Sequence, residues 1–182
     1  MGGCIGVLYL EQHPDVFQKA ILSAPMLGIN NGKVPDQAAA LLCRMACFFG
    51  KKKQKLFTMG DFDPAEPFEN GACNSKVRHE YYKQLQRENQ QLQTSAATYG
   101  WAGQAMKAAK RAIAPENAAK IKIPVLLFSA AEDSFVRAKE QDLFLERIPD
   151  GRKVSVESKH EITRHNSRVL EAYLAEIFEF LA

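Results

Sequence analysis

A chain of 182 residues, 46% of them hydrophobic, is long enough to bury a sizeable core as one domain or as one domain carrying an insertion. Its 24 basic and 21 acidic side chains leave a formal charge of +3, too balanced for the footprint of a nucleic-acid binder, so no nucleic-acid partner is expected. No apolar run approaches the roughly 20 residues that cross a bilayer, and Cys4, Cys43, Cys47 and Cys73 form no C-x-x-C pair, so a reduced, metal-free and cofactor-free chain is expected.

Residues 3 to 12 carry Ile5, Leu8 and Tyr9 at helical spacing, and His13-Pro14 stops the pattern. Phe17 to Ser23 is a short run closed by Ala24-Pro25 and reads as a strand. From Gly28 to about Ala119 the character changes: an apolar LLCRMACFFG, a basic KKKQK, a turn-rich DFDPAEPFENG and a glutamine-rich stretch from Gln84 to Gln93 predict a mostly helical insertion. Ile123 to Phe128 then reads as a buried parallel strand, Lys139 to Ile148 as a helix, Lys153 to Glu157 as an alternating strand and Val169 to Leu181 as an amphipathic helix. Strands alternating with helices predict an α/β fold, a parallel sheet with flanking helices whose chemistry lies in loops at the strands' carboxyl ends. The expected domains are a core of residues 1–29 and 119–182 and a helical cap of residues 30–118.

Two of those loops hold residue types that nucleophilic hydrolysis uses. Asp133 lies in SAAEDSFV after one strand, and His160 lies in ESKHE after the next. An imidazole accepts a nucleophile's proton only when a partner on its other ring nitrogen fixes its tautomer, and a carboxylate does this. Spacing alone leaves Asp133 as readily a helix cap and His160 as readily a surface histidine. His13, His79 and His165 read as structural or solvated. Gly2-Gly3-Cys4-Ile5-Gly6 spells a cysteine version of a nucleophile turn, but no strand precedes it, and a buried thiol is the plainer reading of Cys4.

The motifs MGG at the start, LSAP at 22–25, IPVLLFSAAED at 123–133 and ESKHE at 157–161 resemble the C-terminal portion of bacterial lysophospholipases of the monoacylglycerol-lipase type. PFENGACNSKVRH at 67–79 and TYGWA at 98–102 resemble that family's cap. The resemblance implies a partial α/β-hydrolase fold and a Ser-Asp-His triad. Asp133 would be the acid, Glu132 its less favoured neighbour, His160 the general base, and the serine would lie just before Met1. Met1 would then supply an oxyanion-hole backbone N–H, and Trp101 and Arg78 would serve substrate binding.

The implied substrate is a lysophospholipid or a monoacylglycerol, although related folds also cleave peptides and lactones. On this reading the 182-residue chain alone is inactive, and the alternative is a non-catalytic remnant or a lipid-binding module. Phe48, Phe49, Leu56 and Phe57 flank Lys51, Lys52, Lys53 and Lys55, read either as a solvated lysine turn or as a cap surface for peripheral membrane contact. A cytoplasmic location, with contact at the inner membrane, is expected.

Overall fold

Three short runs pair side by side in the computed structural model, which describes residues 1–94 and 96–182: β1 (Ala20–Ser23), β2 (Val125–Ala130) and β3 (Gly151–Val156). The strands are parallel in the order β1-β2-β3, with Ala20 opposite Val125 and Val125 opposite Gly151. All six residues of β2 are buried, as a central parallel strand covered on both faces requires. The helices are α1 (Gly2–Gln12), α2 (Asp36–Phe48), α3 (Lys76–Glu88), α4 (Tyr99–Ala112), α5 (Pro115–Ala118), α6 (Ala138–Leu145) and α7 (Ser167–Leu181). The architecture is α/β, a parallel sheet with flanking helices, as the alternating strands and helices of the sequence predict.

The chain groups into two compact units. The first comprises Met1–Asn30, Ala72–Ser75 and Ala108–Ala182, and the second Asn31–Gly71 and Lys76–Lys107. In the first, Leu126, Phe128 and Ala130 alternate along β2 and pack with Tyr173 and Ile162, against Leu170, Ile177 and Phe180. Leu170, Tyr173, Ile177 and Phe180 recur at helical spacing, so α7 lays one stripe on the sheet. The Phe128 and Tyr173 rings are 4.3 Å apart. Asn166 caps α7, its side chain accepting from Val169 N–H at 3.1 Å.

The strand boundaries differ from the sequence expectation for local reasons. The first strand begins at Ala20 rather than Phe17, because Phe17 is half exposed with its ring edge-on to Tyr9, and Lys19 Nζ donates to the Phe180 carbonyl at 2.7 Å. The ladder opens where Ala20 N–H meets the Pro124 carbonyl at 3.0 Å. Pro124 has no N–H to offer, so β2 starts at Val125, two residues after the expected Ile123. The third strand runs from Gly151, two residues before the expected Lys153.

The second unit holds a small cluster of Cys43, Tyr99 and Ala102, with Ala46, Cys47, Leu56 and Met106 packed against it. Lys83 on α3 is buried there, its ammonium on Glu66 at 2.6 Å and on the Asp63 carbonyl at 3.2 Å, and 5.1 Å from the Phe62 ring. These contacts give the buried side chain's polar end its partners. All four cysteines are free thiols, and no helix among the described residues is long and apolar enough to cross a membrane.

Candidate active site

The loops leaving β2 and β3 run on together beyond the sheet. Ala131 N–H donates to the Val156 carbonyl and Glu132 N–H to the Ser158 carbonyl, each at 2.9 Å. Parallel strands carry their loops out at the same end, so residues 27 apart in sequence arrive side by side. Asp133 Oδ2 lies 2.7 Å from His160 Nδ1. The other carboxylate oxygen accepts from Phe135 N–H at 2.8 Å and from Val136 N–H at 3.0 Å, so the side chain is held at both ends. Its fractional exposure is 5%, against 24% for the His160 side chain.

Burial pushes the Asp133 carboxyl up. The hydrogen bond from His160 and those from the Val136 and Phe135 N–H groups outweigh that push and hold it below the ordinary carboxylate range. An ionised Asp133 accepts from Nδ1–H, which makes Nε2 the proton-accepting atom of the ring. The Phe135 ring stands edge-on to the imidazole at 5.3 Å. Glu132, by contrast, is exposed.

Two further segments brace the pair, and neither was visible as part of the site in the sequence. Asn30 N–H donates to the Phe135 carbonyl at 2.9 Å, Asn30 Nδ2 to the Ser134 carbonyl at 3.1 Å, and Arg137 N–H to the Gly28 carbonyl at 3.0 Å. These bonds fix the loop that carries Asp133. On the other side, Asn74 Oδ1 accepts from Lys159 N–H at 2.6 Å and the Ala72 carbonyl accepts from Glu161 N–H at 2.9 Å. His160 is therefore gripped through both of its chain neighbours.

Met1 stands at the N-cap of α1, its carbonyl accepting from Cys4 and Ile5 N–H, and its side chain is exposed. The first turn of α1 packs against the residue after the β1 loop: a Cβ on Gly3 would lie 2.7 Å from Pro25 Cβ. Trp101 and Arg78 belong to the second unit. Trp101, on α4, is 43% exposed, with its N–H on Thr98 Oγ1 at 3.1 Å, and Arg78 is partly buried on α3. Among the described residues no three His, Cys, Asp or Glu side chains gather as a metal would require.

A family model described as serine aminopeptidase, S33, matches residues 1–166. The chain belongs to this hydrolase family. It is 26% identical over 183 residues to a probable lysophospholipase L2 of Haemophilus influenzae, covering 100% of this chain and 57% of that one. It is 25% identical over 189 residues to lysophospholipase L2 of Escherichia coli, with 99% and 55% covered. The chain thus spans about half the length of the curated relatives it matches.

Among solved structures, the monoacylglycerol lipase of Paleococcus ferrophilus superposes with a TM-score of 0.69 at 19% identity, covering 98% of this chain and 64% of that one. A soluble variant of monoglyceride lipase from Saccharomyces cerevisiae superposes with a TM-score of 0.66 at 13% identity, with 98% and 61% covered. These likenesses give the fold. With the family match, they make this an α/β-hydrolase.

Proposed function

We propose that this chain carries the acid and base of a serine carboxylic-ester hydrolase acting on lysophospholipids or monoacylglycerols. The single observation that supports it most is the 2.7 Å contact between Asp133 Oδ2 and His160 Nδ1, at the carboxyl ends of adjacent parallel strands. In this reading the nucleophile is a serine N-terminal to Met1. His160 Nε2 takes the serine hydroxyl proton as the oxygen attacks the ester carbonyl, then delivers it to the departing glycerol alcohol. Water hydrolyses the acyl-enzyme by the same relay. Asp133 stays ionised throughout, holding the ring and stabilising the imidazolium. Met1 N–H serves the oxyanion, and Trp101 and Arg78 serve the substrate.

The proposal divides the chain into a core of residues 1–29 and 119–182 and a cap of 30–118, and makes activity depend on the serine. It places the protein in the cytoplasm with peripheral contact at the inner membrane. The coding sequence upstream of the Met1 codon, read with the intact mass of the native protein, tests it directly. An in-frame strand ending in G-x-S that is present in the mass, with monoacyl-ester turnover abolished by His160→Ala, is the expected result. Turnover by the 182-residue chain alone would overturn the dependence on that serine. A native mass of 182 residues without turnover would favour a binding role.

A further inference from the structure

Among the described residues, Ala24 is the only one other than glycine with a left-handed backbone, at φ 41°, directly after β1. Its N–H still continues the ladder, donating to the Phe128 carbonyl at 2.8 Å, and the bend that follows brings Pro25 against Gly3 in the first turn of α1. Such strain persists only where the surroundings over-determine it. Helix α6 and the residue before it supply those surroundings. Gln141 Nε2 donates to the Pro25 carbonyl at 3.3 Å, and Arg137 N–H holds the Gly28 carbonyl. The Glu140 carboxylate, paired with Arg137 at 2.9 Å, occupies the space over Gly28, where a Cβ would lie 2.7 Å from its Cδ. Beyond Gly28, Ile29 bridges Val136 antiparallel and Asn30 binds the loop of Asp133. The run from Pro25 to Asn30 is thus a strut within the first unit, one end on the start of α1 and the other on the acid's loop.

Gln141 is the costly member of this strut. It is 1% exposed, and its Oε1 is buried with no hydrogen-bond partner among the described residues. An apolar side chain of the same size would fill that space without orphaning an oxygen, so the carboxamide is unfavourable for stability. Nor does the Pro25 carbonyl lack a donor, since it already accepts from Leu27 N–H at 2.8 Å. What the Gln141 N–H adds is direction: it fixes where that carbonyl, and with it the Pro25 ring, points.

We infer that Gln141 is a positioning residue: through the Pro25 carbonyl it sets where α1 begins, at the Met1 N–H and the proposed serine before it, relative to the Asp133–His160 pair. Gln141 itself touches no reacting atom. Its kinetic consequence rests on the hydrolase reading above, and its structural consequence does not, so the two fail separately.

The experiment makes two measurements on Gln141→Met. In the 182-residue chain, amide hydrogen exchange should become at least about fivefold faster in peptides covering 1–8 and 24–30, with the β2 peptide as protected as before and the urea midpoint unchanged or raised. In protein that includes the serine, kcat on a monoacyl ester should fall about tenfold with KM nearly unchanged. Affinity for an alkyl trifluoromethyl ketone should fall by about the same factor, while a fatty-acid product binds as before. In that adduct the serine oxygen bonds to the carbonyl carbon, the C=O electron pair moves onto oxygen as an oxyanion, and His160 takes the hydroxyl proton. Unchanged exchange in both peptides would overturn the inference. So would kcat and analogue affinity left unaltered, or a lowered urea midpoint with unaltered kinetics, which would make Gln141 a packing residue. Faster exchange in a protein without turnover, or with turnover that survives His160→Ala, would count against the hydrolase reading and still support the strut.

Discussion

Asn74 Oδ1 accepts the Lys159 backbone N–H at 2.6 Å, one residue before the imidazole that the proposed chemistry uses. Together with the Ala72 carbonyl on Glu161 N–H, it sets where the His160 backbone lies. Asn74 touches no reacting atom, so it is a positioning residue. In protein that includes the serine, Asn74→Ala should lower kcat about tenfold with KM nearly unchanged, a barrier increase of about 1.4 kcal/mol. A loss of thermal stability that leaves both kcat and KM unchanged would make Asn74 merely structural.

Asp133 predicts a particular pH dependence of stability. Its carboxyl is held below the ordinary range in the fold, so the unfolded chain takes up a proton first as pH falls. The stabilisation is fully present above the unfolded value near 4 and is lost as pH drops through the folded one. Asp133→Asn, which removes the charge from a side chain that is 5% exposed, should cost about 1–3 kcal/mol at pH 7. Denaturation of the two proteins should converge in strong acid. A constant difference down to pH 2 would contradict the ionised, multiply bonded carboxylate described here.

The pairing of Asp133 with His160 is legible in the sequence through the resemblance of SAAED and ESKHE to a hydrolase family; the strands alone, an apolar run before Asp133 and an alternating one before His160, leave a helix cap and a surface histidine equally open. The braces are not legible, because Asn74 lies 85 residues from Lys159 and nothing local marks its carboxamide as a backbone acceptor. Apolar Phe17 reads as the start of β1, yet its ring packs edge-on against Tyr9 and the strand begins at Ala20. Hydrophobic periodicity also cannot say which face of α2 turns inward when both are apolar, and side-chain size settles it in favour of cysteine and alanine.

The glycines of α1 look interchangeable, but their surroundings give them opposite roles. A Cβ on Gly3 would sit 2.7 Å from Pro25 Cβ and 2.9 Å from Pro25 Cα, backbone that cannot swing aside, whereas a Cβ on Gly6 meets nothing within 4 Å. Gly6→Ala should therefore stabilise the chain by about 0.5–1 kcal/mol through helix propensity alone. Gly3→Ala should destabilise it by about 1–3 kcal/mol despite the same propensity gain. Urea denaturation of the two variants checks the sign, and two stabilising substitutions would mean that α1 does not pack on Pro25.

Glu11, on the last turn of α1, is 5% exposed, and neither carboxylate oxygen has a hydrogen-bond partner among the described residues. Burial raises its carboxyl from 4.5 to about 7, with the fields of Arg111 and Lys120 pulling the other way. The sign is opposite to that of Asp133. Between pH 4.5 and about 7 the fold keeps a proton that the unfolded chain has released, so stability falls as pH rises through that window and levels off above it. The full window is worth about 3 kcal/mol. Glu11→Gln, which carries no charge at any pH, should raise the unfolding free energy by about 1–3 kcal/mol at pH 8 and leave it nearly unchanged at pH 4.5. Lys120→Met should make Glu11 harder to ionise and widen the window upward. Equal effects of Glu11→Gln at both pH values would show that Glu11 reaches solvent or a cation in solution, and the buried position described here would then be wrong.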